Sequence, residues 1–483
     1  MDFSRAKFYK PVLLAVAASL FFGVSQTQRA LNHDRERLGL TRVTPLENAP
    51  PILAFTTVAL GGFRGLISNA LWIRANDLQE NDKFFEAVQL ADWITKLEPH
   101  VGQVWFFLGW NMAYNISVKF SDPADRWRWV QRGIELFRDQ GLLWNPDETL
   151  LYRELSWIFQ HKMGANLDDA HQFYKRAWAN EMQKLFGGKP NFDELLNPQT
   201  EDAKNRVKLL REKYKMDPKI MKEADELYGP LEWRLPDAHA IYWAELGRRK
   251  GKQEEQQTLR RSIYQTMQQA FFRGGLTENK VDKTFILGPN LNLVEKLNKT
   301  YETMMDEDPT QKEHMKTGHK NFLINAVYLL YVDYREAEAK RWYDYLEKLY
   351  PKAVVHKSGK KLSLDEFAIA LMTEDVGETD VNKTTAIIRG LLRRSFIDLA
   401  LDEDDRALKS ERLAQQIWNR YQKEIEGAGD RVGLKPMNDL KTVVRNEIFN
   451  PETGVSPDMA ARIRTKLGLS SPTNAPPTEA IPK

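Results

Sequence analysis

The sequence predicts an all-α protein of stacked helical pairs, and three observations carry that expectation. Apolar residues recur at helical spacing: Val88, Ala91, Ile94 and Leu97 stand three apart, and Leu323, Ala326, Val327 and Leu330 stand at i, i+3, i+4 and i+7. Sustained period-2 apolar runs are missing, as are Asn-Gly or Asp-Gly turns between such runs, so strands are not expected. Many of the 27 glycines and 22 prolines stand at plausible helix ends, among them Pro99, Gly141, Pro146, Gly164, Pro236, Pro309 and Pro351.

Composition bounds what such a fold does. The 483 residues suffice for roughly three domains or one long repeat array. Hydrophobic residues make up 42%, enough to bury a core and too many for wholesale disorder. The 70 Lys and Arg against 67 Asp and Glu leave a formal charge of only +3, which argues against a chain built for nucleic acid. Cysteine is absent, which removes disulfides, thiolate metal sites and Cys nucleophiles together.

Arg5, Lys7 and Lys10 precede an uncharged run from Pro11 to Val24, which predicts an N-terminal transmembrane or signal-anchor helix over residues 1–30. Gly23 and Ser25 offer a weak cleavage match, so a removed signal peptide is the alternative. The short basic leader favours an exported, periplasmic body, although Arg29, Arg35, Arg37 and Arg42 nearly balance the charge count. Residues 31–67 read as a linker and an apolar entry helix. An apolar stretch continues from Pro51 to Ile73, and a second span there would bury Arg64 at about 2.5–3.5 kcal/mol. A helix packed against its successor is the simpler form.

Internal repeats follow over residues 68–183. A frame starting at Ser68 places Leu71, Ala75 and Leu78 on a first helix, Ala87, Ala91 and Ile94 on a second, and Pro99 at its close. The next frame carries Trp105, Leu108 and Gly109, then Gly133 and Phe137, closing near Pro146. A third begins at Tyr152, Leu155 and Ser156 and continues through Ala170, Tyr174 and Ala177. Trp243, Leu246 and Gly247 repeat the W-x-x-L-G element. The frame from Lys320 places Leu323, Ala326, Leu330, Ala339, Tyr343, Leu346 and Pro351 without a gap. This pattern resembles the tetratricopeptide-repeat (TPR) family, moderately from Ser68 to Ala179, closely from Lys320 to Pro351 and weakly from Ala238 to Gly274. It departs from the family's pattern at Arg74, at Lys250 and in its loop insertions. The resemblance implies a TPR-like α-solenoid, akin to bacterial membrane-anchored TPR proteins of unassigned activity. Small residues such as Gly109 and Gly133 would let paired helices approach closely.

Residues 184–237 form a charged insertion with one or two expected helices, ending in the Pro- and Trp-bearing loop from Tyr228 to Pro236. Degenerate TPR-like hairpins are expected over 238–353 and further helices over 354–469. Among these, Asn382–Leu401, Asp404–Glu426, Met437–Phe449 and Pro457–Leu467 are distinct. Residues 470–483 carry four prolines and no core pattern, and read as a disordered tail.

The sequence shows no recognisable catalytic chemistry, and no cofactor or metal is expected. The closest histidine pair, His314 and His319, is spaced i,i+5 and does not converge on one helix face. The acidic run from Asp402 to Asp405 lacks the ligand spacing of a calcium loop and reads as a helix N-cap. The TPR resemblance instead implies a partner groove along the first helix of each pair. Its positions are Asn69, Trp72, Asn76 and Gln79, then Phe106, Trp110 and Tyr114, then Arg153, Trp157 and Gln160. Aromatics supply contact area, amides hold an extended backbone and arginine suits a carboxylate. The expected function is therefore a membrane-anchored, non-catalytic scaffold or adaptor that binds a protein or peptide partner. A structural subunit of a larger membrane assembly is the first alternative. An enzyme with a helical active site near Trp233, Asp237 and His239 is the second.

Overall fold

The computed structural model describes residues 3–37, 64–251, 256–279, 281–282, 284–307, 310, 312–356, 359–374, 381–424, 434–451 and 454–469. The expected tail at 470–483 and most of the linker before Arg64 lie outside the described residues. The described chain is mostly helical, in agreement with the all-α expectation. It divides into two compact units, Met1–Pro99 and His100–Lys483.

The first unit contains α1 (Phe3–Arg37), α2 (Arg64–Glu80) and α3 (Phe84–Leu97). Ala75 and Leu78 of α2 are buried, as are Ala87, Ala91, Ile94 and Leu97 of α3, so this pair closes along the periodic positions. Asn81 donates its side-chain amide to the Asp77 carbonyl at 2.7 Å, and Asp82 takes a left-handed φ of 59° to turn the chain back.

The anchor expectation is not supported. Among the described residues no helix is long and apolar enough to cross a membrane. The uncharged run Pro11–Val24 does lie inside α1, but at 1.5 Å per residue it reaches only about 21 Å, against a hydrocarbon core of about 30 Å.

The second unit begins with three successive helices that share one irregularity. Helix α4 (Gly102–Trp110) runs on into a π-helical turn, Asn111–Ile116. Helix α5 (Pro123–Glu135) starts under an Asp122 cap, whose carboxylate accepts from Ala124 N at 2.8 Å, and widens at Leu136–Gly141. Helix α6 (Thr149–Trp157) widens at Ile158–Met163, and α7 (His171–Phe186) follows. Glycines set the spacing between α4 and α5. A Cβ on Gly133 would lie 3.0 Å from the Gly109 carbonyl, and one on Gly109 would lie 2.6 Å from the buried Phe137 ring.

The charged insertion holds α8 (Phe192–Leu196), α9 (Glu201–Glu212) and α10 (Pro218–Tyr228), one helix more than expected. Val207, Leu210, Met221 and Ala224 bury an inner face on the two longer ones. The segment Leu231–Leu235 is buried throughout and leads into α11 (Pro236–Lys250). Helix α12 (Gln256–Arg273) then packs on α11.

A short hairpin corrects the expectation of no strands. Strand β1 (Gly275–Asn279) pairs antiparallel with β2 (Thr284–Gly288), in register from Gly275 opposite Gly288 to Asn279 opposite Thr284. Asn279 Oδ1 closes the turn by accepting from Val281 N at 3.0 Å and Asp282 N at 3.2 Å. Five-residue strands bounded by glycine, with Phe285, Ile286 and Leu287 consecutive, show no alternation for a sequence pattern to detect.

Helices α13 (Val294–Glu307), α14 (Lys312–Val332) and α15 (Glu336–Leu349) follow. Along the α14–α15 pair Leu323, Ala326, Leu330, Ala339, Tyr343 and Leu346 are all buried. The chain closes with α16 (Leu364–Glu374), α17 (Val381–Ala400), α18 (Asp404–Glu424), α19 (Met437–Ile448) and α20 (Pro457–Lys466). The last four share a core that includes Ile388, Phe396, Leu413, Ile417, Ile448 and Ile463.

Candidate functional site

The residues expected to line a groove fall in both units. Asn69 and Asn76 are exposed on α2, with Trp72 and Gln79 partly exposed beside them. In the second unit, Phe106, Trp110 and Tyr114 stand at i, i+4 and i+8 and form a continuous row. Phe106 and Trp110 have ring centroids 5.7 Å apart, and Trp110 stacks on Tyr114 at 4.2 Å.

The row continues onto the neighbouring helix. Tyr114 lies 6.0 Å from His161, whose ring stacks on Trp157 at 4.6 Å and 11°. The Tyr114 hydroxyl is 3.4 Å from His161 Nδ1. All five rings remain partly exposed. Burial, helped by Lys162 and Arg273, holds His161 below the ordinary imidazole range, so it is neutral near pH 7. Burial also pushes the Tyr114 phenol well above its ordinary value, with Glu154 and Asp168 adding to the effect. Both groups are therefore uncharged, and the row is an aromatic surface with polar edges.

The π-helical turns explain which residues join the row. In a turn widened to i→i+5, the residue at i+3 swings further from the face of residue i, while i+4 stays near it. Trp157 is followed by such a turn, so His161 comes beside it. Gln160 turns inward and is only 2% exposed, its amide oxygen 3.5 Å from Ser262 Oγ. Arg153 is placed at the site but already engaged. Its Nε and guanidinium donate to Glu154 Oε1 at 2.9 and 2.7 Å, so a partner carboxylate would have to compete with Glu154.

Beneath the row lies a buried ion pair. Lys162 Nζ donates to Asp168 Oδ2 at 2.6 Å, and their side chains are 3% and 8% exposed. Asp168 also accepts from Ala170 N at 2.8 Å, Tyr174 OH at 3.2 Å and Arg126 at 3.4 Å. Burial opposes charge on both partners. The donors converging on Asp168 outweigh it and hold that carboxyl below its usual range, whereas Lys162 stays below its ordinary value despite its partner. Lys162 also lies 5.2 Å over the Tyr114 ring, a cation–π contact that links the pair to the row.

Trp233 and His239, two of the residues read as an alternative active site, belong to the core. His239 is fully buried, its Nε2 2.9 Å from the Trp233 carbonyl oxygen, among the rings of Phe159, Trp178 and Trp233. Asp237 is paired with Arg273 at 3.0 Å. The Asp402–Asp405 run leads into the first turn of α18 and forms surface ion pairs: Asp402 and Asp404 hold Lys466 at 3.1 and 2.9 Å. Among the described residues no group of three or more His, Asp or Glu is placed to hold a metal ion.

Burial pushes His239 down to about 4, against the hydrogen bond to Trp233. The unfolded chain, with a histidine near 6.5, takes up a proton that the fold refuses. Stability is therefore complete above pH 6.5 and falls by about 3 kcal/mol as pH drops to 4. His319, also buried and pushed down to about 4, acts in the same direction. Guanidinium unfolding at pH 7 and pH 4.5 measures the loss, and His239→Gln is expected to shrink it without abolishing it.

No protein-family model matches the chain, and no curated protein is significantly similar to it.

Proposed function

We propose that the chain is a non-catalytic helical scaffold of TPR-like design that captures an extended segment of a partner protein along the aromatic row. The observation that carries this reading is the row itself. Five rings from two neighbouring helices touch in line, through two stacked and two tilted contacts, and are partly exposed and neutral at pH 7. Aligned aromatics of this kind give contact area at low entropic cost, and the polar edges of Trp110, Tyr114 and His161 suit peptide backbone groups. The TPR-like design is supported by the helical pairs α2–α3 and α14–α15 and by the glycine-spaced approach of α4 and α5.

The proposal extends to a membrane location. Leu13, Val16, Leu20, Val24 and Leu31 of α1 share one helix face and are each at least 50% exposed, and such a face favours insertion into a bilayer with the body held beside it. Attachment would raise the local concentration of a membrane-bound partner. The body is proposed to be exported rather than cytoplasmic, on the charge reading of the leader.

Trp110→Ala and Arg153→Ala test the groove in a crosslinked pull-down from intact membranes. The expected result is loss of partner from Trp110→Ala, with stability changed by about 1 kcal/mol or less. Capture unaffected by both substitutions would sink the assignment. A second reading, a fixed subunit of a larger assembly, is favoured by Leu66, Ile73 and Phe85, which are 63%, 72% and 50% exposed on α2 and α3. That reading predicts one partner in fixed ratio, retained by Trp110→Ala.

A further inference from the structure

Helix α7 buries Ala179 and Met182 along with Tyr174 and Trp178, and a lysine lies on that same face. Lys175 is only 6% exposed. Its ammonium donates to Asn166 Oδ1 at 2.7 Å and lies 3.1 Å from His171 Nδ1, both neutral partners. Among the described residues no carboxylate comes within 4.0 Å of it. Asp237, on the facing helix α11, is taken by Arg273, which donates to it at 3.0 and 3.3 Å. A buried cation without a counter-ion is costly, and folds keep one where something else supplies the charge.

The space around Lys175 is open. It lines a chamber of about 140 Å³ together with Asn166, Gln172, Asp237 and Arg273. It also lines an adjoining chamber of about 360 Å³, with Leu235 on one wall and Leu276, Phe285 and Leu287 of the β-hairpin on another. The small chamber is mixed: Leu235, Pro236, Phe272 and Leu287 line it beside the polar groups. The larger one is mixed as well, its apolar wall made by Leu235, Leu276, Phe285 and Leu287 and its polar part by Lys175, Arg176, Gln172 and Asn180.

We propose that this paired chamber binds a monocarboxylate with an apolar body, its carboxylate on Lys175 and its hydrocarbon against the β-hairpin. Charge selects the head group. Lys175 and Arg273 against Asp237 leave the small chamber one positive charge, which matches a monoanion, and the Asp237 carboxylate in its wall disfavours a dianion such as phosphate. The ammonium, with burial as the main cause and Arg273 the next, is held down to about 8; an anion seated on it restores the charged form. The hairpin then acquires a role that the helical framework alone does not give it. The proposal is independent of partner capture by the aromatic row.

Titration calorimetry of the full chain with octanoate tests it, with 1-octanol and inorganic phosphate as comparison probes. Saturable octanoate binding is expected, weakened at least tenfold in Lys175→Met, while 1-octanol binds the two proteins alike. Lys175→Met is expected to unfold no earlier than the parent, since it removes a buried charge that lacks a counter-ion. Phe285→Ala provides a second variant, expected to weaken octanoate and 1-octanol together. Three outcomes would overturn the proposal: no octanoate binding by the parent, equal affinity in Lys175→Met, or phosphate bound as tightly as octanoate.

Discussion

Asp168→Ala is expected to destabilise the second unit by about 3–5 kcal/mol, the range for breaking a buried pair by removing one partner. The carboxylate is the hub between α5, α6 and α7. It accepts from Lys162, Arg126, Tyr174 and the Ala170 main chain. Alanine strands the Lys162 ammonium, whose side chain is 3% exposed, and leaves the Ala170 N–H just ahead of α7 without its acceptor. Asp168→Asn keeps an oxygen for Ala170 N and is expected to cost less. Guanidinium unfolding read by tryptophan fluorescence measures both. A cost below about 1 kcal/mol for Asp168→Ala would mean that water reaches Lys162 and that the pair is not buried in solution.

Trp233→Ala is the second large effect, again about 3–5 kcal/mol. Trp233 is 1% exposed, and its Nε1 donates to Asp225 Oδ1 at 2.9 Å. Its ring meets Phe192, His239 and Tyr242 edge-on at 6.1, 6.0 and 6.4 Å. Truncation opens a cavity among α8, α10 and α11 and removes a donor from the half-buried Asp225 carboxylate. Trp233→Phe keeps most of the volume and is expected to recover about half of the loss. Trp110→Ala, by contrast, touches a partly exposed ring and is expected to change stability by about 1 kcal/mol or less. That contrast separates a framework tryptophan from one available to a partner.

The helical framework was legible because burial and helical period coincide. Ala75, Ala87, Ala91 and Ile94 in one pair, and Leu323, Ala326, Ala339 and Leu346 in another, were read as inward-facing and are at most 1% exposed. Helix ends at Pro99, Pro146 and Pro351, and the start of α11 at Pro236, were legible because proline is tolerated in a helix only in its first turn. The aromatic row was legible only along one helix, where Phe106, Trp110 and Tyr114 share a face. Its continuation through His161 was not, because a histidine 47 residues away joins only once α4 and α6 pack side by side. The π-helical turns have no pattern in the sequence, so a regular helical period turns Gln160 toward the groove and leaves His161 off it. The membrane-spanning anchor was read from an uncharged run shorter than a bilayer. Lys175 left a faint trace, a lysine on the face that also carries Trp178, Ala179 and Met182, and a helical period alone does not distinguish it from a chain end reaching to solvent.

The central claim is that a partner segment lies along the row from Phe106 to Trp157. A photoactivatable benzoylphenylalanine placed at Trp157, at Tyr114 and, as a control, at the 44%-exposed Leu209 on α9 reads this directly when irradiated in intact membranes. The account predicts a discrete adduct of the same mass from Trp157 and Tyr114, reduced when Trp110→Ala is added, and none from Leu209. Adducts from Leu209 alone, or adducts from the row that survive Trp110→Ala unchanged, would contradict it.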